Sequence, residues 1–165
     1  MSFGHAGPLR LNGRMLPDWS LRPSRPADAD WIAGLRAVVL RPDLERLGRF
    51  DPVRVRQRFL AGFVPGHTFV IEADGTGVGA IAVRPEPDGL WVEHFYLAPD
   101  QQGKGLGGAV LAAVMESHAD GRPFRLNVLQ GSPARRLYER HGFELEREDA
   151  VDVFLVAHPP KNTLY

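Results

Sequence analysis

Residues 90 to 108 read Leu-Trp-Val-Glu-His-Phe-Tyr-Leu-Ala-Pro-Asp-Gln-Gln-Gly-Lys-Gly-Leu-Gly-Gly. A strand-like apolar run thus feeds a glycine cluster that opens an amphipathic helix. Gly103, Gly105, Gly107 and Gly108 remove the side chains that would hold a ligand off the backbone, and amides at a helix N-terminus point at an anion. This is the chemistry of a phosphate cradle. Lys104 within it, and Arg135 or Arg136 further on, are cations that could neutralise phosphate or serve as ordinary surface charges. Immediately upstream, Glu93 and His94 are titratable neighbours. Strand alternation sends them to opposite faces, with Glu93 on the parity of Phe95 and Leu97, an order that a bulge would reverse.

Two nucleotide-binding patterns fit the cradle poorly. A dinucleotide fingerprint places Gly-x-Gly-x-x-Gly in an early βαβ unit, with an acidic residue about 20 positions later. Here the glycines lie past mid-chain, spaced Gly103-x-Gly105-x-Gly107. A Walker-type loop needs Ser or Thr after Gly-Lys, whereas Lys104 is followed by Gly105.

The elements that must position these residues are legible from period and punctuation. Trp19 to Arg22 reads as a short strand, and Pro26 as the first residue of a helix running to about Leu40, with Trp31, Leu35 and Val38 on one face. Asp51-Pro52 is an N-cap with a first-turn proline, opening a second helix whose Val55, Phe59 and Phe63 share a face. Thr68 to Glu72, Val78 to Val83 and Leu90 to Leu97 are strands joined by tight turns, an antiparallel meander. Gly105 to about Ala119 is helical, and Phe124 to Leu129 is a strand reached through that helix, hence parallel to Leu90 to Leu97. Ser132 and Pro133 open another helix that Gly142 ends, and Phe143 to Arg147 and Val151 to Ala157 are the closing strands. Met1 to Asp18 has no clear period and is expected to be a loose arm with a short strand near Leu9 to Leu11, ahead of one domain over residues 19–158 and a tail over 159–165. The sum is an α/β fold with a mixed sheet.

Composition narrows the function classes. The 165 residues, 44% hydrophobic and 24% charged, suit a single domain with a sizeable core. Twenty basic and twenty acidic side chains cancel, which argues against nucleic acid or an anionic membrane as partner. With no cysteine there is no disulfide, thiolate catalysis or Cys-based zinc site. The six histidines show no paired helical spacing, so no metal is expected. No apolar run approaches the roughly 20 residues of a membrane span. The first residues lack the pattern of a signal peptide, so a cytoplasmic protein is expected.

Gln102-Gly103-Lys104-Gly105-Leu106-Gly107 resembles the Gln/Arg-x-x-Gly-x-Gly/Ala motif of the GCN5-related N-acetyltransferase (GNAT) family. The resemblance extends upstream to Leu21-Arg22-Pro23-Ser24-Arg25-Pro26-Ala27-Asp28-Ala29, similar to that family's first strand and helix start. Downstream, Ala134-Arg135-Arg136-Leu137-Tyr138-Glu139-Arg140-His141-Gly142-Phe143 is similar to its late Leu-Tyr…Gly-Phe motif. Together these span roughly Leu21 to Leu155 in family order.

The resemblance implies a GNAT-like, mostly antiparallel twisted sheet, splayed between Leu90 to Leu97 and Phe124 to Leu129 and flanked by about four helices. It implies acetyl-CoA as co-substrate and direct attack of a primary amine on the thioester. The acceptor, a small molecule or a peptide amine, would be shaped by the first two helices. Backbone groups of Phe95 and Leu97 would pair with the pantetheine arm. Amides from Gly103 to Gly108 (Gly103, Lys104, Gly105, Leu106, Gly107 and Gly108) would hold the pyrophosphate, with Gln102 at the motif's first polar position and Ala134 and Arg135 of the late motif also counted as cofactor-binding. Tyr138 would protonate the departing thiolate, and Glu93 would relay the amine proton, with His94 or water as the other candidates. Where many relatives carry an asparagine seven residues before the tyrosine, this chain has Gly131, and Asn127 is the nearby candidate to replace it. Many relatives dimerise, which leaves a homodimer open here.

Glu146, Glu148, Asp149 and Asp152 form an acidic cluster that reads as a solvated turn or as a rim attracting a cationic amine. Two further readings compete with the enzyme. One is a catalytically silent acyl-CoA-binding or regulatory module of the same fold, and the other an unrelated phosphate-binding domain.

Overall fold

The computed structural model describes residues 10–11 and 14–161. The arm expected over residues 1–18 therefore lies partly outside the described residues. Within them, β1 (Arg10–Leu11) pairs antiparallel with β2 (Arg14–Met15), and Leu16 is buried at 3% exposure. The remaining elements are β3 (Trp19–Pro23), α1 (Ala29–Arg46), α2 (Pro52–Gly62), β4 (Thr68–Ala73), β5 (Thr76–Glu86), β6 (Gly89–Leu97), α3 (Leu106–His118), β7 (Phe124–Leu129), α4 (Ala134–Arg140), β8 (Glu144–Glu148) and β9 (Asp152–Ala157). Short 3-10 turns occupy Pro26–Asp28, Pro65–His67 and Pro99–Gln101.

The first helix differs from expectation at both ends. Pro26 opens a 3-10 turn, and α1 itself runs through Pro42 to Arg46. Proline removes one helical hydrogen bond, but Asp43 beyond it is buried and ion-paired with Arg46 at 2.6 Å, so the last turn is held by side chains. The entry to α1 is fixed by Asp28. Its carboxylate takes both guanidinium nitrogens of Arg22 at 2.9 Å, the Arg25 amide at 2.8 Å and the Trp31 indole at 3.0 Å. The Arg22 hydrogen bond outweighs burial and holds this carboxyl below its ordinary range. The second helix starts as expected, with the Asp51 side chain accepting from Val53 N at 3.0 Å and Arg54 N at 3.1 Å.

Seven strands form one sheet in the order β3-β4-β5-β6-β7-β9-β8. All neighbours are antiparallel except β6 and β7. Helices α3 and α4 cover one face over a core that includes Ile71, Ile81, Val92, Leu97, Leu106, Val110, Leu126 and Leu155. On the other face α1 and α2 bury Ile32, Ala33 and Phe59 on Val70, Ala80 and Tyr96. The parallel pair is in register only at Leu90–Phe124 and Trp91–Arg125. Past those two pairs β6 runs six more residues and β7 four with no ladder between them, while each keeps its outer partner.

Candidate active site

The gap between β6 and β7 is the floor of one large cleft, about 2140 Å³, walled by α1 and α2 at one end and by the glycine loop and α4 at the other. An interrupted ladder in a sheet centre exposes backbone donors and acceptors, which an extended ligand can pair with as an added strand would. Phe95 and Leu97 lie on that open stretch of β6, and both line the cleft.

The glycine loop follows directly. Gly105 caps α3 at φ 90°, a left-handed conformation that side chains resist, and so turns the chain from the loop into the helix. Gly103, Lys104, Gly105, Gly107 and Gly108 all line the cleft. The Gln102 side chain donates to Leu97 O at 2.9 Å, which ties the loop to the end of β6. A Cβ on Gly107 would meet Leu137 and Leu97 at 3.5 Å, and one on Gly108 would meet His141 at 3.5 Å, so small residues bring α3 against α4 here. Leu106, expected to bind the cofactor, is fully buried in the core and is not part of the cleft wall. Arg135 is absent from the cleft wall. It pairs with Glu139 one helical turn on, at 3.5 Å, while Arg140 and His141 line the cleft in its place.

Tyr138 is 7% exposed, with its ring edge-on to Phe95 at 6.4 Å and to Phe143 at 5.8 Å. Burial pushes its phenol well above the ordinary tyrosine value, so it stays protonated. The hydroxyl makes no hydrogen bond among the described residues, and the side chain reaches the cleft. Ala134 also lines the cleft at the start of the same helix.

On β6 the alternation breaks. Ala82 pairs with Glu93 and Ala80 with Tyr96, so His94 and Phe95 together oppose Ile81, and His94 sits at φ 49°. This is a β-bulge. It overturns the parity expected for Glu93: Phe95 and Leu97 pack toward the α3–α4 core, whereas Glu93, next to core residue Val92, emerges on the opposite side. Glu93 and His94 consequently share a side instead of facing apart, and both line the cleft.

Their surroundings differ. The Glu93 carboxylate accepts from Arg84 Nε at 3.1 Å, and Arg84 is also paired with Glu86. The His94 ring stands edge-on to Phe59 at 5.0 Å, with Nδ1 3.1 Å from the Tyr96 hydroxyl. That hydroxyl accepts from Arg36 Nε at 3.0 Å, and a second Arg36 nitrogen is anchored on Val55 O. Desolvation lowers the His94 pKa below the ordinary imidazole value. Glu93 opposes that shift, and Arg36 and Arg84 add to it. Neither Arg36 nor Tyr96 stands out in the sequence, since only the bulge brings Tyr96 to face α1 and α2.

Asn127 lines the cleft opposite β6, but its amide donates to Asp152 Oδ1 at 3.0 Å. At Gly131 a Cβ would lie 2.8 Å from an Arg46 guanidinium nitrogen, and Arg46 reaches across to Gln130 O. The arginine from α1 thus fills the space that a larger side chain at 131 would need. In the acidic cluster Glu146 pairs with Arg125, Glu148 accepts from Gln130 at 3.0 Å, and Asp149 accepts the Val151 and Asp152 amides at 2.9 and 2.7 Å.

Residues 65–145 match the family model described as the acetyltransferase (GNAT) domain. The chain carries a GNAT-family acetyltransferase domain. Solved structures agree on the GNAT fold. A GNAT-family acetyltransferase from Streptococcus agalactiae is 16% identical, with a TM-score of 0.69 over 87% of this chain and 97% of that one. A PaiA N-acetyltransferase from Thermoplasma acidophilum, solved in complex with coenzyme A, is 17% identical, with a TM-score of 0.67 over 86% and 99%. An N-acetyltransferase from Staphylococcus aureus is 18% identical, with a TM-score of 0.64 over 84% and 100%. No curated protein matches the chain by sequence. Among the described residues of this GNAT domain no helix is long and apolar enough to cross a membrane, and no cluster of His, Cys, Asp and Glu could hold a metal ion.

Proposed function

We propose that the protein transfers the acetyl group of acetyl-CoA to a primary amine. The observation that carries this reading is the convergence on one cleft of the unpaired stretch of β6, the glycine loop at the start of α3, the buried Tyr138 and the Glu93–His94 bulge. The residues present fit the cofactor. The open β6 edge offers main-chain partners to an amide-bearing arm. The α3 N-terminus offers amides to phosphate, each anionic group gaining about 0.3 to 1 kcal/mol from the helix dipole.

The reaction forms a C–N bond and breaks the C–S bond of the thioester. The amine must lose a proton as it attacks, and the thiolate must gain one as it leaves. Tyr138, kept protonated by burial and with its hydroxyl uncommitted, serves as the acid. At the bulge, His94 is the base. Burial favours its neutral form, and in the tautomer that carries the proton on Nδ1, 3.1 Å from the Tyr96 hydroxyl, Nε2 accepts from the amine. Glu93 beside it stabilises the imidazolium that results, while its ion pair with Arg84 fixes its place.

Calorimetric titration with acetyl-CoA, CoA and ATP, followed by a thiol-release assay on an amine panel, tests the proposal. Binding of acetyl-CoA and CoA in preference to ATP, with amine-dependent thiol release, is the expected result. Binding without turnover would mark a silent acyl-CoA module, and no binding would end the reading.

A further inference from the structure

The cleft wall beside the bulge carries a charge pattern that the transfer reaction itself does not use. In α2, Val55 and Phe59 face inward and are buried at 5% and 0% exposure. Arg56 turns toward α1, where its guanidinium lies 2.9 Å from the place of a Gly34 Cβ. Arg54 and Arg58, one turn apart on the opposite flank, face the cleft. Neither side chain has an ion pair or hydrogen bond among the described residues. The helix Pro52–Gly62 contains no acidic residue, so this like-charged i,i+4 pair repels without relief from within α2.

The carboxylates of the cleft, by contrast, are all engaged. Asp43 is paired with Arg46 at 2.6 Å and Glu93 with Arg84 at 3.1 Å. Asp51 caps α2, Asp149 accepts two backbone amides, and Asp152 accepts from Asn127 at 3.0 Å. What α2 itself presents to the cleft is therefore two guanidinium groups, on the helix whose Phe59 meets the His94 ring edge-on at 5.0 Å.

Building on the proposed acetyl transfer, we infer that Arg54 and Arg58 bind an anionic group, carboxylate or phosphate, on the acceptor and hold its amine at the β6 bulge. Two guanidinium forks suit planar or tetrahedral oxyanions, and both stay charged at any working pH. The acceptor class is then an amine that also bears an acid, such as an amino acid or a phosphorylated amine. A purely cationic polyamine would meet repulsion at this wall.

The test pairs acceptors that differ in the acid alone: glycine with methylamine, β-alanine with ethylamine, γ-aminobutyrate with propylamine, and phosphoethanolamine with ethanolamine. Initial rates of thiol release are measured at saturating acetyl-CoA on the full chain and on Arg54→Gln and Arg58→Gln. Glutamine keeps the helix propensity and the exposed site, and circular dichroism checks the fold. At least one acidic acceptor should have the higher kcat/KM of its pair, and each variant should raise its KM about tenfold or more, with the KM for acetyl-CoA held within twofold. Equal or better use of the neutral partners in every pair overturns the inference, as does an unchanged acceptor KM in both variants. A rise in the KM for acetyl-CoA alone would assign the arginines to a cofactor phosphate, which also overturns it. Absence of thiol release from the wild type with every amine is a different failure, that of the transfer reading itself, and calorimetric binding of acetyl-CoA separates the two.

Discussion

At the scale of single residues, Tyr138 and His94 owe their proposed roles to what surrounds them. Tyr138 is buried at the cleft wall, and its hydroxyl has no hydrogen-bond partner among the described residues. Tyr138→Phe keeps the ring packing on Phe95 and Phe143 and removes only the acid. It should lower kcat by about 100-fold or more with little change in the KM for acetyl-CoA, measured by steady-state thiol release. His94 predicts a pH dependence whose sign is fixed. Its folded pKa lies below the ordinary value of about 6.5, so the neutral, active form persists into mildly acidic solution and is lost as pH falls through the depressed value. The acid limb of kcat/KM should accordingly fall below that ordinary value and disappear in His94→Ala. Because Glu93 raises the His94 pKa, Glu93→Gln should move the limb to still lower pH. A limb that stays in place in both variants would remove His94 from the proton path.

At the scale of elements, the β6 bulge is the device that matters most. It places Glu93 and His94 on one side, swings Tyr96 onto the α1–α2 face and leaves Phe95 and Leu97 toward the α3–α4 core. Such a distortion is stable only where the neighbouring strand gives room. Gly79 on β5 supplies it: a Cβ there would sit 2.3 Å from Tyr96 O and 2.9 Å from a Leu97 methyl carbon. Backbone cannot yield as a flexible side chain does. Gly79→Ala should therefore destabilise the fold by about 1 to 3 kcal/mol, read as a lower urea midpoint at unchanged m-value. A neutral effect would mean that the bulge relaxes without cost.

At the scale of the whole molecule, the sheet is held on both faces but unstitched in the middle, and the ligand is expected to close it. Acetyl-CoA at 100 times its Kd should stabilise the protein by about 2.7 kcal/mol, roughly 5 to 10 °C in Tm for a chain of this size. ATP, which lacks the pantetheine arm, should give a much smaller shift in the same scan. Equal shifts would indicate a phosphate site alone and would favour a nucleotide-binding reading. Leu16 adds a point of closure at the other end, since it is buried with a methyl carbon 3.5 Å from the place of a Gly105 Cβ, so the N-terminal arm meets the cradle loop.

The sequence alone determined the order of strands and helices, because alternation, capping residues and Gly/Pro punctuation are local signals. Phe124–Leu129, Asp51 as a cap and the glycine loop needed nothing beyond their neighbours. The glycine loop opening α3 and the helix that carries Tyr138 were legible for the same reason, being carried by short contiguous motifs. Tertiary structure decided what depends on partners far along the chain. One extra residue at His94 reverses every side chain after it, and nothing in the run Val92 to Leu97 marks where the extra residue goes, since the room for it lies in Gly79 on another strand. Arg135 and Arg140 look equivalent in sequence, but helical phase turns one to Glu139 and the other to the cleft. Arg36, Arg54 and Arg58 are unremarkable as a string of arginines. Only the packing of α2 over His94 shows which of the chain's cations are already paired and which are left facing the cleft.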